Sequence, residues 1–419
     1  MTTKFLVSIG LVVGLFAGGA CGITKPASST TSLGQDAAVA GTGGADGGTA
    51  GFAGAAGAGG NASADASVDT ALVRVAWASI NKQSAAWYAT SEAAVLADNI
   101  IYYQNVDGGW PKNIDMTARA AAKDRSTIDN NATTTQMVYL SLVYGATKTS
   151  AYADAFNQGV DYLLEAQYPA NGGWPQFYPT VTLAYQKHIT YNDNAMVKVM
   201  TLLRDIGNKA TKTQYSFVDD DRATKATAAV QAGIACILKT QIETNGVKSA
   251  WCAQHDEVTL APANARAYEL ISNSGSEAAG VLQFLMAIDN PSAEVIDAVQ
   301  SATAWFDKTQ IKGIRVTEVA DATQASGKDV VVVADPAAPP LWARFYDIAT
   351  DVPFFCGRDG IKKATLAEIE NERRTGYAWY GDWPAVVLKQ YASTWQPKWA
   401  PGKSVLSVRT TTPDAGATN

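Results

Sequence analysis

Histidine is nearly missing from this chain: its 419 residues include two, His188 and His255. Cysteine is scarce as well, with four residues and no Cys-x-x-Cys pair. Zinc sites are built from sets of these ligands, so the composition argues against one. No Ser-His-Asp set is recognisable either. Positive charge is not in excess. The net charge of -6 argues against general nucleic-acid binding. It also means that a polyanionic substrate must be met by a local basic site or a metal. A membrane span is lacking too: the apolar run Phe5 to Phe16 is too short to be one.

That run belongs to an export signal. Lys4 supplies its positive end, and the small residues Ala17, Gly18, Gly19 and Ala20 lead to Cys21. A cysteine there fits a bacterial lipoprotein signal, with the thiol lipidated, although Gly18 stands where Leu is usual. Plain cleavage is the other reading. We take 1–21 as the signal and 69–400 as the folded part. Residues 22–68 form an Ala/Gly/Ser/Thr-rich tether with too few large apolar side chains to order, and 401–419 a second disordered tail. This places the folded part outside the cell membrane, either free or anchored by a lipid on Cys21, and we expect a monomer. Cys236, Cys252 and Cys356 are an odd set, so at least one thiol stays free. Cys252 and Cys356 lie beside candidate site motifs, which leaves a bridge between them open.

What is present is helical periodicity. Apolar spacing predicts helix over 69–104, 132–145, 150–167, 192–206, 222–241, 276–289, 292–307 and 384–393. A phrase from Gln to Trp follows several of these. Gly-Gly-Trp-Pro occurs at Trp110 and again at Trp174, and a weaker copy runs from Gln241 to Trp251. Repeats holding two helices each suggest a ring of helical hairpins. Strand signals are confined to Ile314–Val319 and Asp329–Val333, one hairpin. The expected fold is mainly α, an α/α toroid with a small β excursion and long loops.

The polar clusters carry the chemistry. Ser126-Thr-Ile-Asp-Asn-Asn-Ala-Thr133 and Tyr191-Asn-Asp-Asn-Ala-Met196 each place Asp and Asn just before a helix. One helix cap needs one oxygen. Each cluster supplies several, and carboxylate and amide oxygens are what a hard cation such as calcium binds. Arg266 and Glu269 stand three apart on an expected helix, where a local ion pair is the plainer reading. Trp342 to Gly360 reads as a structured loop holding Arg344 and Arg358 among aromatic residues. An arginine fork fits a carboxylate in two places at once, so the pair suits a sugar acid. Tyr377, Trp379, Tyr380 and Trp383 offer ring faces for sugars, or else pack as a core edge.

At these residues the chain resembles the pectate lyases of polysaccharide lyase family 10. The phrases that carry the resemblance are GGWPK, STIDNNAT, GGWPQFYP, YNDNAMV, AWCAQHD, ARAYE, RFYDIATDVPFFCGRDG and RRTGYAWYG, in order from about 70 to 395. Asn131 departs from the family, which often has Gly there. The resemblance implies an α/α toroid that cleaves polygalacturonate by β-elimination with calcium. Asp129, Asn130 and Asp193 would sit around the ion, with Asp129 also at the chemistry. Arg266 would be the base that takes the C5 proton. Arg344, Arg358, Tyr380, Trp379, Lys112, Trp174 and His255 would contact substrate.

The chemistry suits these residues. Removing a proton beside a carboxylate builds negative charge, which a cation and arginine forks neutralise. An arginine base is awkward, because its free pKa lies above 12. Nearby calcium and other arginines would lower it. An alkaline optimum and a calcium requirement follow. Two other readings stand beside this one. An inverting glycoside hydrolase would use Asp129 with Asp193 or Asp256. A non-catalytic surface protein would bind wall polysaccharide through its aromatics.

Overall fold

The computed structural model describes residues 73–180 and 184–407. The expected export signal, the tether and all of the tail beyond 407 lie outside the described residues. Nine helices are named here: α1 (Ser91–Tyr103), α2 (Thr134–Thr147), α3 (Ser150–Glu165), α4 (Ala195–Gly207), α5 (Asp220–Thr240), α6 (Glu277–Met286), α7 (Ala293–Lys308), the short α8 (Asn371–Thr375) and α9 (Trp383–Gln390). They form the two layers expected of an α/α toroid. One layer packs α2 on α4, α4 on α6 and α6 on α9; the other packs α1 on α3, α3 on α5 and α5 on α7. The first is the inner layer. Its member α6 is buried nearly all round, from Glu277 to Met286, whereas α5 presents a polar face to solvent.

A repeated device joins the hairpins. The indole N–H groups of Trp110, Trp174, Trp251 and Trp342 donate to the carbonyls of Ile100, Leu163, Ile237 and Phe306, in the last turns of α1, α3, α5 and α7. Each satisfies a carbonyl that the helix end leaves without a partner. The glutamine after each helix then reaches onward. Gln104 donates to Ala155 of α3, Gln167 to Ala229 of α5 and Gln241 to Ala298 of α7. Gln310 instead turns back to Asp307, so the series ends as an open arc. Gly108 and Gly172 are required here: both have positive φ, and a Cβ would strike the carbonyl oxygen of Gln158 or Ala232 at 2.3 Å.

The expected hairpin is present, with Ile314–Ala320 antiparallel to Lys328–Ala334. One expected helix is shorter than its pattern. From Trp77 to Ala89 the chain forms two 3-10 turns, and α1 starts only at Ser91. Thr90 is extended and its hydroxyl accepts from Ala93 N–H, a cap that fixes the start. Apolar spacing of three fits a 3-10 turn as well as an α-helix.

Short paired strands lead into the inner helices. Ile189–Thr190 pairs with Gln254–His255 before α4, Asn273–Ser274 with Phe345–Tyr346 before α6, and Tyr380–Gly381 with Trp342–Ala343 before α9. The polar clusters therefore sit at the N-terminal ends of the inner layer.

Candidate active site

The first cluster forms a 3-10 turn, Asp129–Asn131, directly before α2. The second forms the same turn, Asn192–Asn194, before α4. Asn130, Asn131, Asp193 and Asn194 all have positive φ, between 49° and 64°. Asn and Asp tolerate that region better than other non-glycine residues. The sequence can therefore wind its carboxylates and amides into tight turns facing each other across the layer.

Lysine joins the two turns. The Lys198 ammonium, in the first turn of α4, donates to the Asn131 side-chain oxygen and, at 2.8 Å, to the Asp193 carbonyl. Burial lowers its pKa, while the Asp193 and Asp129 carboxylates act in the opposite sense. Lys112 lies on the other side and pairs with Asp129 Oδ2, with its ammonium 5.2 Å from the Phe177 ring centre. Asp129 is buried, and its Oδ1 has no hydrogen-bond partner. The Asn194 Oδ1 is likewise buried and unpaired. Unpaired buried oxygens are costly unless a ligand or water meets them. Asn194 Oδ1 lies against Gly280 of α6, whereas Asp129 Oδ1, with Asn130 and Asp193 on the two facing turns, offers the hard oxygens that calcium takes. Among the described residues a separate trio, His188, Asp256 and Glu257, brings three ligand atoms within 4.8 Å. Lys187 already pairs with Glu257 at 2.7 Å, and none of the trio belongs to the turns above.

Arginine continues the chain of contacts. Arg344 is buried; its Nη2 donates to Glu277 and, at 3.3 Å, to Asp193 Oδ1. Its guanidinium lies 4.5 Å from the Tyr377 ring centre. Burial opposes its charge, but Glu277 foremost among its neighbours outweighs that and holds its pKa above the ordinary range. The Tyr377 hydroxyl donates to Glu269 at 2.8 Å, and Arg266 lies 5.9 Å from the same ring centre. Arg266 grips Glu269 through Nε, at 2.8 Å, and Nη2. Asp129, Asp193, Arg344 and Arg266 are thus linked through Lys198 and Tyr377 into one site.

Several expectations need correction. Trp174, Trp379 and His255 have 0, 2 and 0% of their surface exposed, so none has a face to offer a sugar. The Trp174 and Trp379 N–H groups donate to Leu163 and Arg373 carbonyls. His255 accepts from Cys252 N–H and bonds the Leu260 carbonyl, and burial pushes its pKa down to about 4. Cys252 and Cys356 are free, buried thiols rather than a bridge. Arg266 and Glu269 stand on a turn, not a helix. The Arg266 pKa is also not lowered in the protein alone: burial opposes the charge, yet Glu269 more than offsets it and raises the pKa.

Arg358 lies at the exposed rim, paired with Glu372 at 2.9 and 3.0 Å. Tyr380 is half-buried against Phe355. Sequence reasoning missed Lys198 and Glu277. A lysine in the first turn of a helix, against the helix dipole, was a usable signal for the first. Ser274 three residues before Glu277 was one for the second: the Ser274 hydroxyl accepts from Glu277 N–H at 2.9 Å.

Comparison with known proteins agrees with this architecture. The family model described as pectic acid lyase matches residues 104–388. A solved family 10 polysaccharide lyase from Cellvibrio cellulosa is 36% identical, with a TM-score of 0.65 over 75% of this chain and 94% of that one. An aspartate-to-alanine mutant of the Cellvibrio enzyme, in complex with trigalacturonic acid, matches at the same identity and TM-score over 74% of this chain and 95% of that one. No protein with a curated description matches. The chain belongs to the pectic acid lyases, polysaccharide lyase family 10.

Proposed function

We propose that this chain is a calcium-dependent pectate lyase, cleaving α-1,4-linked polygalacturonate by β-elimination. The observation that carries the reading is the meeting of two arginines and two aspartates, distant in sequence, around Lys198 and Tyr377. The Cellvibrio relative in complex with trigalacturonic acid supports an acidic-sugar substrate.

Arg266 is the base. Its Nε and Nη2 are held by Glu269, which leaves Nη1 to receive the C5 proton. As that proton leaves, its electron pair forms the C4–C5 double bond and the C4–O4 bond breaks. The product is a 4,5-unsaturated oligogalacturonide. Arg344 is fixed by Glu277 and Asp193, and beside the Asp193 turn its guanidinium would meet a substrate carboxylate. Lys112, Arg358 and Tyr380 contact neighbouring sugars. Asp129, Asn130 and Asp193 would hold calcium, which supplies positive charge beside the uronate carboxylate. Arg266 must be neutral to act, so turnover rises into the alkaline range. The N-terminal signal adds an exported enzyme, extracellular or anchored through lipid on Cys21.

The test is purified protein on polygalacturonate, with calcium or with a chelator, followed by ultraviolet absorbance. Calcium-dependent growth of the absorbance of the unsaturated product is expected. Chain cleavage without that absorbance would mean hydrolysis and would overturn the reading.

A further inference from the structure

Lys198 is a cation in an unfavourable place. It lies in the first turn of α4, where the helix dipole already presents positive charge. Its ammonium is spent on two oxygens, the side-chain oxygen of Asn131 and the carbonyl of Asp193. These belong to the two turns that also carry Asp129 and Asp193. Both turns hold residues in the left-handed region. On the first of these turns Asp129 Oδ1 is buried with no partner. Lys112 takes Asp129 Oδ2, Arg344 takes Asp193 Oδ1 and the Asn192 amide takes Asp193 Oδ2, so Asp129 Oδ1 is the carboxylate oxygen of these turns left without a partner.

We propose that the Lys198 ammonium shares these two turns with the divalent cation and weakens cation binding to the free enzyme. The inference rests on the calcium-dependent reading above and deepens it. Two effects compete at this position. The ammonium holds the turns together, which prepares the cation's oxygens. It would also repel a divalent cation held by the same two turns. Preparation of ligands by one flexible side chain is a modest gain, whereas charge repulsion in a partly dry site is large. Repulsion dominates. Lys198 is not a catalytic residue in this account: its charge acts on the cation, and it touches no reacting atom. The uronate carboxylate then tips the balance toward the cation when substrate arrives, because it adds negative charge where the free enzyme has too little.

The experiment is calorimetric titration of the full chain with calcium chloride, without sugar, at one fixed pH. Lys198→Met keeps the apolar stem and removes the charge, and should bind calcium at least tenfold more tightly than the native protein. Lys198→Arg keeps the charge and should bind as weakly as the native protein. If Lys198→Met fails to fold, as judged by near-ultraviolet circular dichroism, Lys198→Gln is read in the same titration with the same expectation. Equal or weaker calcium binding in the folded neutral variant overturns the proposal, as does a failure of every variant to bind calcium. The lyase reading fails separately, if native protein forms no ultraviolet-absorbing product from polygalacturonate. A native enzyme that does form it, with unchanged affinity in Lys198→Met, sinks this inference alone.

Discussion

At the scale of the residue, the site depends on what each charge is paired with. Arg266→Ala should lower turnover on polygalacturonate by roughly two to four orders of magnitude in the absorbance assay, as expected for loss of a general base. Glu269 raises the pKa of the Arg266 guanidinium, more than offsetting burial. Glu269→Gln removes the carboxylate that raises this pKa, so the rising limb of the pH–rate profile should move toward lower pH. An unmoved limb would show that another group titrates there. His255 makes a prediction about stability. Its folded pKa is lowered to about 4 by burial, against an ordinary 6.5, so the unfolded chain binds the extra proton first. Its contribution is complete above about pH 6.5 and is lost as pH falls toward 4. The shift corresponds to about 3 kcal/mol. Thermal melts should show a falling Tm across that window, with a shallower slope in His255→Asn.

The residues that could be read from the sequence were those in polar phrases with more oxygen than a cap needs. Asp129 and Asp193 stood out in this way, and Arg344 through its aromatic surroundings. Lys198 and Glu277 did not, since each is one polar residue in an otherwise helical pattern. Each acquires its purpose from a partner 67 positions away. The burial of Trp379 was equally hidden: a ring near a site motif looks the same in sequence whether it faces a sugar or fills the small aromatic core of Tyr268, Phe345 and Phe355.

At the scale of the element, helix positions were legible from apolar spacing, with starts and ends close to those observed. The failure at 77–89 came from a period that two kinds of helix share. Three Gln-to-Trp phrases were visible, but the fourth was not. Gln310 and Trp342 are the same pair, with the β-hairpin inserted between them. A phrase stretched in that way loses its spacing: Trp342 keeps its role at the helix end, while Gln310 turns back to Asp307. The device predicts a measurable cost. Trp174→Phe keeps the ring in the core but removes the N–H that meets the Leu163 carbonyl. Leaving that carbonyl unpaired should destabilise the protein by about 1–3 kcal/mol in denaturant unfolding. Gly172→Ala should cost more than an ordinary Gly→Ala change, because its φ is positive and its Cβ meets the Ala232 carbonyl.

At the scale of the whole molecule, hairpins joined in sequence form an arc whose inner helices begin at the end that carries the candidate site. The inserted β-hairpin has contacts at both its base and its far side. At the base, Ile311 and Leu341 exchange backbone hydrogen bonds. On the far side, Asp329 pairs with Arg374, and Asn371 bonds Asp329 and the Lys328 carbonyl, which fastens α8. Arg373 of α8 lies 4.8 Å from the Tyr268 ring centre, and Arg266 lies 4.9 Å from the same ring. Replacing residues 313–339 by a short glycine-containing turn should leave the helical circular dichroism intact while lowering turnover. Parallel loss of both signals would show that the hairpin supports the helices instead.

Because Ile311 and Leu341 stand side by side, the excursion between them is a detachable module in the evolutionary sense. Relatives can lengthen, trim or exchange it while the two layers of long helices stay as they are, and each exchange would retune how firmly α8, and the Tyr268 ring beside Arg266, are braced.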